Sequence, residues 1–342
     1  MRRLLRLGWL VPVTVWLAAC TWAGLAPTPL RPVAPRAALR LTATTTPLRP
    51  LPPTATYLPS ATPTLTATPT PTPTLTPTSP PTPLPLGPPA QAVPPIAELA
   101  GRINLLLLGS DQRPGHWDFR TDTIVFVSFD PQTGETLLAS FPRDLYVRIP
   151  GYGVNRINTA MEFGGFPALA ETLAFNFGLR PQHYILVNFH GFKALIETLG
   201  GIDVYVPRRL CDHLRCVGPG WVHMDADVAL WYARSRETTS DFDRARRQQE
   251  VLRAIASRLL RLDALHRAPE LYALFRGMVV TDLGVDDVVR IVAQAGRFSP
   301  DRTHGVVFAP PQFGVPWITP QGAYVVLPNI GAIQAQIRTM LR

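Results

Sequence analysis

The chain has 342 residues, with 33 Lys and Arg against 24 Asp and Glu, 38 Pro and 3 Cys. Its net charge of +9 would by itself suggest a nucleic-acid-binding protein. However, residues 1–97 hold seven arginines and no acidic residue, which leaves 26 basic against 24 acidic residues in the rest of the chain. We therefore expect no nucleic-acid partner.

Residues 1–20 predict an export signal. Three arginines within the first six residues precede an uncharged stretch from Leu7 to Ala19, which is typical of a secretory signal. The sequence Leu-Ala-Ala-Cys that ends at Cys20 resembles the bacterial lipoprotein cleavage box, so we predict that Cys20 is lipidated. An uncleaved membrane anchor and a soluble secreted form are the alternatives. All three place the rest of the chain outside the cytoplasmic membrane.

Residues 21–95 predict a disordered linker. Between Pro27 and Pro95, 22 residues are Pro and 17 are Thr. Such a composition cannot bury enough apolar surface to offset the entropy of ordering the chain. Because proline favours an extended conformation of about 3.1 Å per residue, we expect a stalk between the membrane and the domain. Residues 96–342 then suit one large domain.

Strands and helices alternate along this domain. The apolar run Ile103–Leu108 predicts a strand buried on both faces, and Thr123–Phe129 predicts a second strand with a hairpin partner over Glu135–Ser140. The further predictions are helices at 166–177, 189–199, 225–233 and 242–262, and strands at 184–187 and 202–206. This order predicts an α/β fold with a mixed central sheet and helices on both faces.

Two cysteines lie between the last predicted strand and the helix that follows it. Cys211 and Cys216 have four residues between them and form an even pair if Cys20 is lipidated. In an exported chain such a pair favours a local disulfide. Two free thiols are the alternative, and a metal site is disfavoured because His213 is the only further ligand type nearby.

Arginines and aspartates recur together at the ends of the predicted elements. Arginine is always charged and has a planar fork that matches phosphate oxygens, while carboxylates among them suit Mg²⁺. The positions are Asp111, Arg120, Asp122, Arg143, Asp144, Arg156, Arg234, Arg236, Asp241, Asp243 and Arg244. Arg244, Arg247 and Gln248 share one face of their predicted helix. The pattern predicts an oxyanion site; a set of surface salt bridges is the alternative.

From Arg102 to Leu252 the sequence resembles the LytR-CpsA-Psr family. The segments that carry the resemblance include LLLLGSD, RTDTIVFVSFDPQTGE, SFPRDLYVRI and SRETTSDFDRARRQQEVL. The resemblance implies an α/β/α sandwich and a membrane-tethered phosphotransferase. Such an enzyme moves a glycopolymer with its phosphate from a polyprenyl-pyrophosphate carrier to a peptidoglycan hydroxyl. It also implies a Mg²⁺ or Mn²⁺ cofactor and a location at the outer face of the cytoplasmic membrane, reaching into the cell wall.

The resemblance also assigns roles to individual residues. Asp111 and Asp122 occupy the metal-linked positions. The catalytic set that it implies is Asp111, Arg120, Arg143, Arg236 and Arg244. The pyrophosphate-binding set is Arg120, Arg143, Arg234, Arg236, Arg244, Arg247 and Gln248. The general base stays open, and two other activities remain as alternatives: a hydrolase of the same lipid pyrophosphate, and a non-catalytic binder of prenyl lipid or wall polymer.

Overall fold

A computed structural model describes residues 86–111, 120–213, 215–236, 240–261, 272–273 and 275–342. All of them belong to one compact unit, Pro77–Arg342. The predicted export signal, the lipidation of Cys20 and most of the linker lie outside the described residues and stay predictions. None of the described helices is both long and apolar enough to cross a membrane.

The described elements alternate between strands and helices, as the sequence predicts. The strands are β1 (Ile103–Ser110), β2 (Thr121–Phe129), β3 (Thr136–Ser140), β4 (Tyr146–Ile149), β5 (Gly153–Arg156), β6 (His183–Val187), β7 (Ile202–Val206), β8 (Leu210–Cys211), β9 (Cys216–Val217), β10 (Gly220–Met224), β11 (Val280–Thr281), β12 (Thr303–Val307), β13 (Gly314–Ile318) and β14 (Tyr324–Pro328). The helices are α1 (Ala160–Phe177), α2 (Phe189–Thr198), α3 (Ala226–Arg234), α4 (Asp241–Arg261), α5 (Val285–Ala295) and α6 (Ile330–Met340).

Six strands form the central sheet, in the order β11-β6-β1-β2-β3-β12. β1 is parallel to β6 and antiparallel to β2, while β3 is antiparallel to β2 and parallel to β12. Four strands thus point the same way and end at one edge of the sheet, where β2 begins. We call this edge the carboxyl edge. In α/β sheets, ligands commonly bind at the carboxyl ends of strands.

Helices cover both faces of the sheet, which confirms the predicted fold class. α1 and α6 pack on one face, where Leu106, Phe126, Leu173 and Ile333 share a core. α4 packs on the other face through the buried side chain of Gln249, whose Nε2 donates to Ser140 Oγ at 2.7 Å and to a backbone oxygen of β12 at 2.8 Å. β1 alternates between fully buried and half-buried residues. One face of this strand is therefore fully buried and the other is only partly covered, so the prediction that both faces are buried is met in full on one face alone.

A second core lies beside the sheet. The hairpin of β7 and β10 packs against α2, α3 and α4 through side chains such as Val204, Met224 and Tyr232. Cys211 and Cys216 are joined by a disulfide that links the short strands β8 and β9. This part of the chain holds the end of α3 and the start of α4 near the carboxyl edge.

The predicted linker is too long at its carboxyl end. Residues 86–95 already contact the domain: the Gly87 amide donates to Pro328 O at 2.9 Å, and the Val93 amide donates to Phe175 O at 2.9 Å. Val93 also packs against the main core. The proline-rich composition does not predict these contacts. Backbone amides of the segment and the side chain of Val93 make them, and neither kind of contact requires a helix or a strand.

Candidate functional site

A β-bulge presents Asp122 at the carboxyl edge. Gly109 of β1 pairs with Thr123, but Ser110 pairs with Thr121, so Asp122 is the extra residue between two pairs. Such a bulge changes the direction of a side chain and is common beside functional sites. Asp111, directly after β1, is exposed at the same edge.

A cleft of about 240 Å³ opens next to this bulge. Its walls come from the start of β2, the segment after β3, the first turns of α4 and strand β14. The charged and polar residues that line it are Asp122, Thr123, Ser140, Arg143, Asp144, Asp241, Arg244, Gln248 and Tyr324. Four residues predicted from sequence, Asp122, Arg143, Arg244 and Gln248, thus meet in one cavity.

Arg143 is held by the carboxylates around it. Its Nη1 donates to Asp122 Oδ1 at 2.8 Å, and its Nε lies 3.5 Å from Asp144 Oδ2. Burial lowers the pKa of Arg143, but the hydrogen bond and charge of Asp122, together with the charges of Asp144 and Asp241, raise it above its ordinary value overall. Arg143 is therefore a permanent cation. Its buried Nε faces Asp144 without completing a hydrogen bond, and the residue forms part of the cleft wall.

Arg244 lies deeper and among other cations. The residue is 8% exposed, and its Nη1 lies 3.3 Å from Asp241 Oδ1. Burial lowers the pKa of Arg244, Asp241 opposes this shift, and the positive charges of Arg236 and Arg143 lower it further. Like charges held together in a partly desolvated cavity favour an anion between them.

Three of the predicted arginines lie outside the cleft walls. Arg120 Nε is 3.6 Å from Glu162 Oε2, and Arg236 Nε is 3.4 Å from Asp241 Oδ1. The third, Arg234, stacks on Phe189, with its Cζ 3.9 Å from the ring centroid. All three residues are exposed, so their guanidinium groups are open to solvent.

Arg247 and Gln248 differ in their surroundings. Arg247 is 6% exposed; its Nε donates to Tyr232 O at 2.8 Å and its Nη2 donates to Ser235 O. The predicted contact of Arg247 with pyrophosphate gains no support from this placement, because its guanidinium holds the end of α3 against α4. Gln248 lines the cleft, and its Nε2 donates to Ala233 O at 3.3 Å.

The donor chemistry at the carboxyl edge fits a divalent cation. In the described part of the chain, no group of three or more His, Cys, Asp or Glu side chains is placed to hold a metal. Mg²⁺ does not require such a group, since one or two carboxylates and substrate phosphate oxygens commonly bind it. Asp111 and Asp122 supply two carboxylates at neighbouring strand ends. The metal itself stays a prediction.

The sequence did not reveal the contribution of β14. Tyr324 and Val326 line the cleft, and the Val326 amide donates to Asp144 O at 2.9 Å. Arg156 joins the same junction, because its Nε donates to Tyr324 O at 3.2 Å. The apolar run at 324–327 does indicate a strand, but no local signal places that strand beside Asp144.

Comparisons with known proteins agree with this architecture. The model of the LytR_cpsA_psr family matches residues 89–308. The regulatory protein MsrR of Staphylococcus aureus is 33% identical over 187 residues, covering 54% of this chain and 57% of that protein. The polyisoprenyl-teichoic acid–peptidoglycan teichoic acid transferase TagU of Oceanobacillus iheyensis is 34% identical over 192 residues, covering 54% and 60%. The match thus spans little more than half the length of these relatives.

Among solved structures, TagV of Bacillus subtilis matches with a TM-score of 0.60 and 24% sequence identity. The match covers 70% of this chain and 97% of that one. At this level of identity the likeness concerns the fold.

Proposed function

The chain belongs to the LytR-CpsA-Psr family, and we propose that it transfers a glycopolymer, together with its phosphate, from a polyprenyl-pyrophosphate carrier to a hydroxyl group of peptidoglycan. The observation that carries the proposal is the convergence of Arg143 and Arg244 on one cleft at the carboxyl edge, beside the carboxylate of Asp122. The TagU relative, named as a teichoic acid transferase, supports the same reaction class.

The reaction requires one bond to form and one to break. The acceptor oxygen attacks the phosphorus atom that bears the glycan, and the bridging bond of the pyrophosphate breaks. The products are a phosphodiester between glycan and peptidoglycan and a free polyprenyl phosphate, while the acceptor proton leaves to a base. Such a transfer depends mainly on positioning and on stabilising the oxygen charges that develop.

The role of each arginine in this transfer follows from its position relative to the cleft. Arg143 and Arg244 stabilise the charge on the transferred phosphate inside the cleft. Arg120, Arg234 and Arg236 bind the outer phosphate oxygens at the rim, where their side chains are exposed. Arg247 keeps Arg234 and Arg236 in place through its bonds to the end of α3.

A divalent cation, Mg²⁺ or Mn²⁺, is part of the proposal. Asp111 and Asp122 would hold it. When bound, it neutralises negative charge on the pyrophosphate. Asp122 also orients Arg143 through their 2.8 Å hydrogen bond, and this second role does not depend on the metal.

We also propose that the domain works at the outer face of the cytoplasmic membrane. A lipid on Cys20 would anchor the chain, and the linker would let the domain reach the wall. Cys20→Ser should release the chain from the membrane fraction into the medium or leave it as an uncleaved precursor. If the protein is instead an uncleaved anchor, Cys20→Ser and the unsubstituted chain should have the same length, and both should stay in the membrane fraction.

The transferase is tested with the full chain in mild detergent, a synthetic polyprenyl-pyrophosphate glycan and Mg²⁺, with and without peptidoglycan oligomers. Mass spectrometry of both products is the readout. We expect glycan joined to the oligomer through a phosphodiester, and loss of this product in Arg236→Ala. Arg246→Ala is the matched control, because Arg246 is also exposed and paired with an aspartate of α4, but its partner Asp243 does not line the cleft, whereas Asp241, the partner of Arg236, does.

The other outcomes identify the alternatives. Free phosphorylated glycan in the presence of acceptor would indicate a hydrolase. Tight lipid binding without turnover would indicate a binder. Equal loss of product in Arg236→Ala and Arg246→Ala would refute the role of the rim arginines.

A further inference from the structure

The outward face of the β7–β10 hairpin carries two matched pairs of side chains. Tyr205 pairs directly with Trp221, and Asp203 pairs directly with His223. Residues 202, 204 and 206 of β7 point inward and are fully buried, so the alternation of the strand places both pairs on the solvent side. We call this surface, with Arg261 from the end of α4, the hairpin face.

The aromatic pair is open to solvent. Trp221 is 74% exposed and Tyr205 is 55% exposed. Their ring centroids lie 5.6 Å apart at an interplanar angle of 66°, so the edge of one ring meets the other and a broad aromatic surface stays uncovered. Exposed aromatic surface next to polar groups commonly marks a binding site.

A polar network adjoins the rings. His223 Nδ1 lies 2.8 Å from Asp203 Oδ1, and Arg261 Nη1 lies 3.4 Å from Asp203 Oδ2. Asp203, Trp221, His223 and Arg261 line a shallow cleft of about 360 Å³ together with Val222. The face therefore combines an apolar plane with hydrogen-bond donors and an acceptor, which come from two short strands and the end of α4.

This combination matches the chemistry of a sugar ring. A pyranose has an apolar face of C–H groups, which stacks on an aromatic plane, and a rim of hydroxyl groups, which need donors and acceptors. The face carries one carboxylate and one guanidinium, so its charges nearly balance and do not favour an anionic polymer or an anionic lipid surface. A five-residue strand is about 17 Å long, which suits a linear chain better than a protein interface of about 800 Å² per partner.

We propose that the hairpin face binds a neutral β-linked glycan strand of the acceptor, at a site separate from the reaction cleft. The proposal rests on the proposed function, which requires a peptidoglycan acceptor. Arg244 and Arg261 lie 17 residues apart on α4, a distance of about 26 Å along the helix. The hairpin face thus holds a part of the strand far from the reacting hydroxyl and keeps the wall polymer near the enzyme.

The experiment measures binding of a hexamer of β-1,4-linked N-acetylglucosamine to the full chain in mild detergent, by calorimetry and tryptophan fluorescence. We expect Trp221→Ala to raise the Kd about tenfold or more, which is the loss expected for one good stacking contact. Trp317→Ala is the matched control, since Trp317 is also partly exposed but lies on β13. Asp203→Asn, which keeps the shape of the face, should weaken binding less than Trp221→Ala.

Several results would overturn the proposal. They are absence of hexamer binding to the unsubstituted chain, equal weakening by Trp317→Ala, and Trp221-dependent binding to poly(glycerol phosphate) or anionic phospholipid vesicles in place of the hexamer. Turnover with the lipid-linked donor separates this proposal from the proposed function. Turnover without hexamer binding refutes the hairpin face alone, whereas hexamer binding without turnover refutes the transferase and leaves the glycan site standing.

Discussion

Replacement of Arg244 by methionine should stabilise the ligand-free protein. Arg244 is 8% exposed and has two cationic neighbours, Arg143 and Arg236, in the cleft without its anion. Replacing a buried ion pair with apolar groups of similar volume is often neutral or stabilising by about 1–4 kcal/mol, whereas removing one partner destabilises the protein when the other charge stays buried. Asp241 keeps its ion pair with Arg236 and is 41% exposed, so Arg244→Met leaves no buried carboxylate unpaired. Because Asp241 already offsets part of the repulsion on Arg244, we expect a gain of about 1–2 kcal/mol.

The assay is thermal unfolding of the full chain with and without inorganic pyrophosphate. For a domain of this size, 1 kcal/mol corresponds to about 2–4 °C, so the Tm of ligand-free Arg244→Met should rise by about 2–8 °C. Pyrophosphate at 100 times its Kd should stabilise the unsubstituted chain by about 2.7 kcal/mol. If the substitution raises the Kd tenfold or more, the same concentration contributes about 1.4 kcal/mol or less.

Arg253→Met serves as the control on the same helix. Burial lowers the pKa of Arg253 as well, but this residue does not line the cleft. Arg253→Met should therefore leave the stabilisation by pyrophosphate unchanged. A lower Tm for ligand-free Arg244→Met would refute the argument about repulsion, and a full pyrophosphate effect in that variant would remove Arg244 from the anion site.

Three further predictions concern other parts of the fold. Phe189→Leu removes the aromatic ring on which Arg234 stacks. This substitution should lower kcat/KM about 2–5-fold in the transfer assay and leave the Tm unchanged. Gly305→Ala brings a methyl group onto Gln249 Oε1 and should lower the free energy of unfolding in urea by about 1–3 kcal/mol. The added methyl group of Gly277→Ala lies within 4 Å of no atom of the described residues, so this substitution should change the free energy of unfolding by less than about 0.5 kcal/mol. Burial raises the pKa of Glu250 above its ordinary 4.5. The contribution of Glu250 to stability is therefore fully present below pH 4.5 and is lost as the pH rises through the raised pKa, which lowers the Tm. Glu250→Gln should remove this part of the decline in Tm.

Local patterns predicted the elements whose burial follows a simple period. β7 has its predicted bounds, because residues 202, 204 and 206 alternate inward along the strand. α4 was predicted at 242–262 and is described as Asp241–Arg261, since its apolar spacing persists over many turns. By contrast, β4 and β5 have four residues each and too few alternations to be distinguished from a loop. The pairing of β12 with β3 joins Thr303 to Thr136, and no local pattern specifies a partner so far along the chain.

The same limit applies inside the site. Helical spacing correctly grouped Arg244, Arg247 and Gln248 on one broad face. At 3.6 residues per turn, however, Arg247 and Gln248 lie about 100° apart, on either side of Arg244. Gln248 therefore lines the cleft while its Nε2 also donates to Ala233 O of α3, whereas Arg247 donates to Tyr232 O and Ser235 O and does not line the cleft. That division depends on where α3 packs, which the spacing within α4 does not contain.

The bulge at Asp122 separates the residue that β2 presents to the cleft from the residues with which β2 packs in the core. Further along β2, Ile124 and Phe126 point into the main core, while Val125 between them is buried outside that cluster. Asp122 stands apart from these residues because it has no partner on β1. The identity of this side chain is therefore decoupled from the hydrophobic pattern that holds the sheet together. A different chemistry could be installed at this one position while the architecture that carries it stayed unaltered.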